Sequence, residues 1–329
     1  MKHKLVIVMI VLLAVSLSSV YAGNTRRIGT AGAQELLIPY GSRGTALGGS
    51  VVSDAYGVEA MYWNPAGLAS LDGTEAIFTH LPYFADINVN YVGLGTNIEG
   101  FGSLGGGAKI VSIGDMVNTD ELNPDGTGRT FSPTLAVLNM TYARVLTANV
   151  SFGFSVMFIH EAILDVSASG VAFDIGFMYD PRWHGIKLGL AIKNYGPTMS
   201  FSGNGFDRPV EGRPLAPKAA DFDLPSSINI GLSYSFIEQG PHAATLLGNF
   251  RSNNYADDYY QGGFEYSYNN LYFIRGGYNF SEQDNYLYGA SFGAGLTVEF
   301  GETTIGFEYS WNETDVFDDN QFFTVKLGF

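Results

Sequence analysis

From about Thr74 to the last residue, apolar side chains recur at every second position in runs of roughly ten residues, the period of a strand that buries one face. Val150, Phe152, Phe154, Val156 and Phe158 oppose Ser151, Gly153, Ser155 and Met157. Ile228, Ile230, Leu232, Tyr234 and Phe236 oppose Asn229, Gly231, Ser233 and Ser235. Tyr286, Tyr288, Ala290, Phe292, Ala294, Leu296, Val298 and Phe300 form another such face, as do Ile305, Phe307, Tyr309 and Trp311. The final run sets Phe323, Val325, Leu327 and Phe329 side by side, and the chain stops on that aromatic. A soluble sheet gains little from an apolar residue at a terminus that frays. The closing strand of an outer-membrane barrel gains an aromatic girdle at the lipid interface.

About fourteen segments follow this pattern, an even number as a bacterial barrel requires. They lie near 74–80, 87–96, 102–113, 132–146, 149–163, 168–180, 186–194, 227–237, 242–251, 258–268, 271–280, 286–300, 302–312 and 320–329. In the fourth, Leu135 and Val137 have the opposite parity from Leu138, Met140 and Tyr142, which predicts a bulge between them. The links alternate in length. Tight turns fall at Thr147-Ala148, around Gln239-Gly240, at Asn269-Asn270 and at Gly301, whereas 114–131, 195–226, 252–257 and 313–319 are longer. A barrel has short periplasmic turns and long outer loops, so this parity predicts a periplasmic side that also holds Phe329. The expected fold is therefore all-β, a transmembrane antiparallel β-barrel of about fourteen strands occupying residues 73–329. Residues 23–72 lack the period of two and mix small with apolar residues. They are expected to form an N-terminal plug within the lumen that a barrel of this width leaves.

Lys2 and Lys4, the apolar run Leu5 to Leu17 and Val20-Tyr21-Ala22 read as a secretory signal peptide over residues 1–22. With no cysteine in the chain, a lipoprotein anchor, a disulfide framework and cysteine chemistry are all excluded. Cleavage would leave 32 acidic against 15 basic residues, a formal charge of −17, which argues against nucleic acid as a partner. The chain is rich in glycine (42), tyrosine (20) and phenylalanine (24), a composition of strands and turns with few helix formers.

Candidate chemistry is sparse. Gly289-Ala290-Ser291-Phe292-Gly293 fits the nucleophile-elbow pattern, but Ser291 lies mid-strand where the elbow needs a strand, a sharp turn and a helix. His80, His160, His184 and His242 fall on separate segments without metal-ligand spacing, and the acidic loops lack EF-hand spacing. No phosphate-binding glycine loop is present. Neither an enzyme nor a cofactor site is expected. Inward parity does place charges at Asp174, Lys187, Lys193, Glu265, Arg275, Glu299, Glu308 and Lys326. These are expected to bind the plug and one another, because ionisable groups at membrane depth need partners or water. The Pro-rich link from Tyr195 to Ser226 is either a passive lid or a surface that meets a partner.

The stretch GSRGTALGGSVVSDAYGVEAMYWNPAGLASL (41–71) resembles the corresponding segment of the PorV/PorQ family, relatives of FadL-type outer-membrane transporters. SASGVAFDIGFMY (167–179), KLGLAIKNYGPTMSFSG (187–203) and LPSSINIGLSYSF (224–236) are similar to the same family. Trp63, Asn64, Pro65, Ala66 and Gly67 carry the plug motif, whose Asn-Pro-Ala-Gly element is shared with FadL-type proteins. The resemblance implies a fourteen-stranded barrel in outer-membrane lipid with its N-terminus folded inside. It also implies one of two roles: work with type IX secretion components on secreted proteins that carry C-terminal sorting domains, or FadL-like uptake of hydrophobic small molecules. The inward faces quoted above are mostly Gly, Ser, Thr, Asn and charged. The sequence therefore favours the secretion role over an apolar conduit.

Overall fold

The computed structural model describes residues 27–206, 208–210, 213–215, 219–282 and 286–329; the expected signal peptide lies outside them. Fourteen strands close into one antiparallel barrel. They are β1 (Thr74–Pro82), β2 (Asn88–Ile98), β3 (Gly102–Ser112), β4 (Thr134–Thr147), β5 (Val150–Ile163), β6 (Val166–Tyr179) and β7 (Ile186–Tyr195), followed by β8 (Ser227–Gln239), β9 (His242–Asn253), β10 (Tyr259–Tyr268), β11 (Tyr272–Ser281), β12 (Tyr288–Phe300), β13 (Thr303–Thr314) and β14 (Asn320–Gly328). Each strand pairs with its neighbours in sequence, and β1 closes on β14 from Glu75↔Gly328 to His80↔Phe323. Beyond the last pair, Thr74 and Phe329 exchange two backbone hydrogen bonds of 3.1 and 2.8 Å, so the terminal aromatic is tied to the first strand. Closure leaves no unpaired edge, the condition for crossing hydrocarbon. Among the described residues no helix is long and apolar enough to cross a membrane.

Alternation explains the outer surface. Phe78, Leu138, Met140, Phe158, Ile228, Ile230, Phe264, Phe292, Phe307 and Phe323 all project outward and are exposed. A band of this extent is too apolar for water and suits lipid.

Three local expectations are corrected. The register of β4 against β5 is continuous from Thr134 to Val145, so Leu135 and Val137 face inward without the expected bulge; the irregularity lies instead between Val145 and Thr147. Val137 tolerates the inward face because it is buried against Leu36, Met157 and Ile159. A register shift does occur between Tyr288 and Ser291. It turns Tyr288 into the lumen, where its hydroxyl lies 3.2 Å from that of Tyr83, although parity had placed it outward with Phe292. Finally, links on the long-loop side are not uniformly long: β5 and β6 are joined by Leu164-Asp165 alone, with Leu164 at φ 53°.

Residues 34–71 run through the interior in short pieces: a 3-10 turn (Gln34–Leu37), α1 (Ser42–Ala46), α2 (Ala60–Trp63) and a second 3-10 turn (Pro65–Ser70). Gly48 (φ 63°) and Gly49 (φ 79°) stop α1 in the left-handed region that glycine enters at little cost. The wall meets this segment with glycine. A Cβ at Gly153 would lie 2.2 Å from the Pro65 carbonyl carbon, one at Gly176 2.0 Å from Asn64 Oδ1, and one at Gly189 2.2 Å from the Val52 carbonyl oxygen. On the opposite wall, one at Gly277 would lie 2.3 Å from the Gly48 nitrogen and one at Gly293 2.5 Å from Ala46 Cβ. The inward face of the barrel therefore carries a collar of missing side chains into which backbone fits.

Candidate functional site

The motif at 63–67 packs against the β5–β7 wall toward the tight-turn end of the lumen, where Gly153 and Gly176 meet it. Asn64 is fully buried, and its Nδ2 donates to the carbonyls of Val52 (2.7 Å) and Phe177 (3.1 Å). Its Oδ1 accepts from the Ala66 N–H at 3.2 Å, capping the 3-10 turn that Pro65 opens. One amide thus joins two parts of the segment to β6. Ala66 is buried beneath this turn, and a side chain at Gly67 would strike the Ala55 carbonyl at 2.2 Å. Trp63 packs on Tyr62 with ring centroids 4.8 Å apart and covers Gly44.

On the opposite wall, also toward the tight turns, lies an ionic layer. Arg43 on α1 donates to Asp54 (2.7 Å) and through two nitrogens to Glu265 (3.0 Å each). Arg275 bridges Glu265 (2.6 Å) and Glu308 (3.0 Å). Lys326 then joins Glu308 (2.9 Å) to Glu59 (2.7 Å), and Lys187 reaches Asp54 at 2.6 Å. Charge alternates along the whole chain of contacts, which grips the segment at Arg43, Asp54 and Glu59. The sequence points only to the wall charges, because the segment has no period from which orientation could be read. Glu299 stands apart, exposed at the tight-turn end of β12. Ser291 belongs to this interface as well: its hydroxyl donates to the Ala46 carbonyl at 3.0 Å.

Toward the long loops the lumen is apolar, which corrects the expectation of a polar interior. Leu36, Val137, Met157, Ile159, Ala168 and Ala172 form one buried cluster, and Leu81, Val89, Val111 and Phe322 form another. The link between β7 and β8 turns inward at both ends. Met199 and Phe222 exchange backbone hydrogen bonds (2.9 and 2.8 Å), and Met199 and Leu224 are buried in the first cluster. Within this apolar layer Glu35 is almost fully buried. Burial first, and the neighbouring Glu161 second, push its carboxyl up to about 8. Lys109 beside it donates to the Ile38 carbonyl at 2.7 Å.

Asp174 and Lys193 lie where the layers meet. Asp174 accepts the Asn194 N–H at 2.6 Å, and the Lys193 ammonium sits 3.5 Å above the Tyr62 ring. Both line a cavity of about 20 Å³ together with Leu36, Tyr40, Lys109 and Met157. That is room for one water.

Solved structures resemble this closed fourteen-stranded barrel over most of their length. A CymD monoaromatic hydrocarbon channel is 15% identical with a TM-score of 0.55, covering 88% of this chain and 97% of its own. The Pseudomonas putida toluene transporter TodX is 16% identical with the same TM-score and coverages. A Pseudomonas aeruginosa FadL homologue is 14% identical with a TM-score of 0.53, covering 88% of this chain and 98% of its own. At these identities the likeness concerns the fold. No family model and no curated protein matches the chain.

Proposed function

We propose that the chain is an outer-membrane channel admitting apolar small molecules, with residues 23–72 acting as its plug. The observation that carries this reading is the apolar half-lumen beneath the long loops, where Leu36, Val137, Met157, Ile159, Met199 and Leu224 converge. Ligand sites of this kind are concave and mostly apolar with a few fixed polar groups, here Lys109, Asp174 and Lys193. The likeness in fold to proteins named as hydrocarbon and toluene transporters supports the same reading. Passage past the plug requires it to shift, because the resting cavity holds no more than a water.

The secretion role implied by the PorV/PorQ resemblance has less behind it. A partner-binding loop should display its apolar residues, and the ends of the 196–226 link bury Met199 and Leu224 inside. Deletion of the gene in its host separates the two. Slower uptake of toluene with normal surface delivery of sorting-domain proteins is expected. Unchanged toluene uptake with those proteins retained in the periplasm would overturn the channel reading.

A further inference from the structure

Arg251, near the long-loop end of β9, shares the inward parity of the buried Leu247 and Asn249. It lies among phenols. Its Nη2 donates to the Tyr255 hydroxyl at 2.9 Å, and its guanidinium carbon is 5.6 Å from the Tyr259 ring centroid. Tyr259 in turn packs against Tyr286 at 4.9 Å, and Tyr286 against Tyr288 at 6.1 Å. Arg43 and Arg275, the two guanidiniums of the ionic layer, each bind two carboxylates. Arg251 binds none among the described residues, and its buried Nε has no acceptor. The Lys193 ammonium and the Asp174 carboxylate are both within electrostatic reach of Arg251, but Asp174 accepts the Asn194 N–H and makes no ion-pair contact with either cation among the described residues.

A guanidinium has five N–H donors in a planar fork, and the protein uses one. A half-buried guanidinium whose counter-charge stands off without contact keeps donors available, and an anion from the lumen that took them would gain charge-assisted hydrogen bonds. The surrounding rings supply faces for a planar body. Arg251, Tyr259, Tyr286 and Tyr288 are all half-buried, so the site opens to the lumen.

We propose that Arg251 anchors a binding site for small aromatic anions, the anionic group taking the free donors of the guanidinium and the ring lying among Tyr259, Tyr286 and Tyr288. This rests on the channel reading and narrows it. A neutral hydrocarbon offers the guanidinium nothing, whereas an aryl carboxylate matches its fork bidentately.

Calorimetric titration of the purified, folded full-length barrel with benzoate and with toluene tests the proposal. Benzoate is expected to bind the wild type and to bind Arg251→Met at least about tenfold more weakly, while toluene affinity stays the same in both. Arg251→Lys, which keeps the charge and loses the fork, should fall between. Removing this half-buried cation, which makes no ion-pair contact, should leave the ligand-free barrel at least as resistant to heat as the wild type. Equal benzoate affinity in wild type and Arg251→Met overturns the site, and so does a lowered unfolding temperature in Arg251→Met, which would make Arg251 structural. Binding of toluene but not benzoate to the wild type overturns the site and leaves the channel reading standing. Binding of neither overturns both.

Discussion

At Gly176 one methyl group decides whether the segment fits. A Cβ there would stand 2.0 Å from Asn64 Oδ1, the atom that caps the 3-10 turn. Gly176→Ala should therefore cost about 1–3 kcal/mol as an overpacked contact, read as a lower urea midpoint by the fluorescence of Trp63. Gly262→Ala is the control, since a Cβ there meets nothing within 4 Å and the stability should stay within about 0.5 kcal/mol of wild type. An equal response at both positions would remove the argument for a collar. The sequence exposes the parity of Gly153, Gly176 and Gly189 but not what stands opposite them. Their abundance reads as strand and turn composition until the segment's backbone is placed against them. The same gap hid Arg43, Asp54 and Glu59, which have no alternation around them to declare a direction. Arg251 and Lys109 were legible in principle, because each shares parity with inward neighbours in its own strand.

Strands were the most legible elements, since a lipid face and a lumen face impose a strict period of two that no other fold requires so often. What parity cannot see is a residue added within a strand. Between Tyr288 and Ser291 the register with β13 shifts, and side chains of one parity divide between lumen and lipid. Single cysteines test this division. Tyr288→Cys should react with a membrane-impermeant maleimide from the water-filled side, and Phe292→Cys should react only with a lipid-soluble reagent. Matched labelling of the two would restore the unbroken face that the sequence suggests. The β4 expectation failed for the opposite reason. Leu135 and Val137 looked misplaced only while the lumen was taken to be polar, and the apolar cluster around Leu36 gives them a proper inward environment.

On the scale of the molecule the lumen has two ends: toward the tight turns, ions on one wall face backbone packed against glycine on the other, and toward the long loops lie apolar and aromatic groups. Lys326 links the ionic layer to the segment through Glu59. Lys326→Met leaves Glu59 and Glu308 short of a cation, a loss of roughly 3–5 kcal/mol for a buried pair broken on one side. The wild type should show little conductance in a planar bilayer and the variant frequent openings. Equal conductance would mean that the glycine collar and the Arg43 and Asp54 contacts hold the seal without Lys326. Ser42 bonds to Thr324 and to the Phe322 carbonyl, and Glu59 to Lys326, so the strand that closes the barrel also holds the segment inside it. The seam between β1 and β14 is thus a clasp that grips what the barrel encloses. A chain lacking residues 34–71 would have to find its circumference without the object it is shaped to enclose.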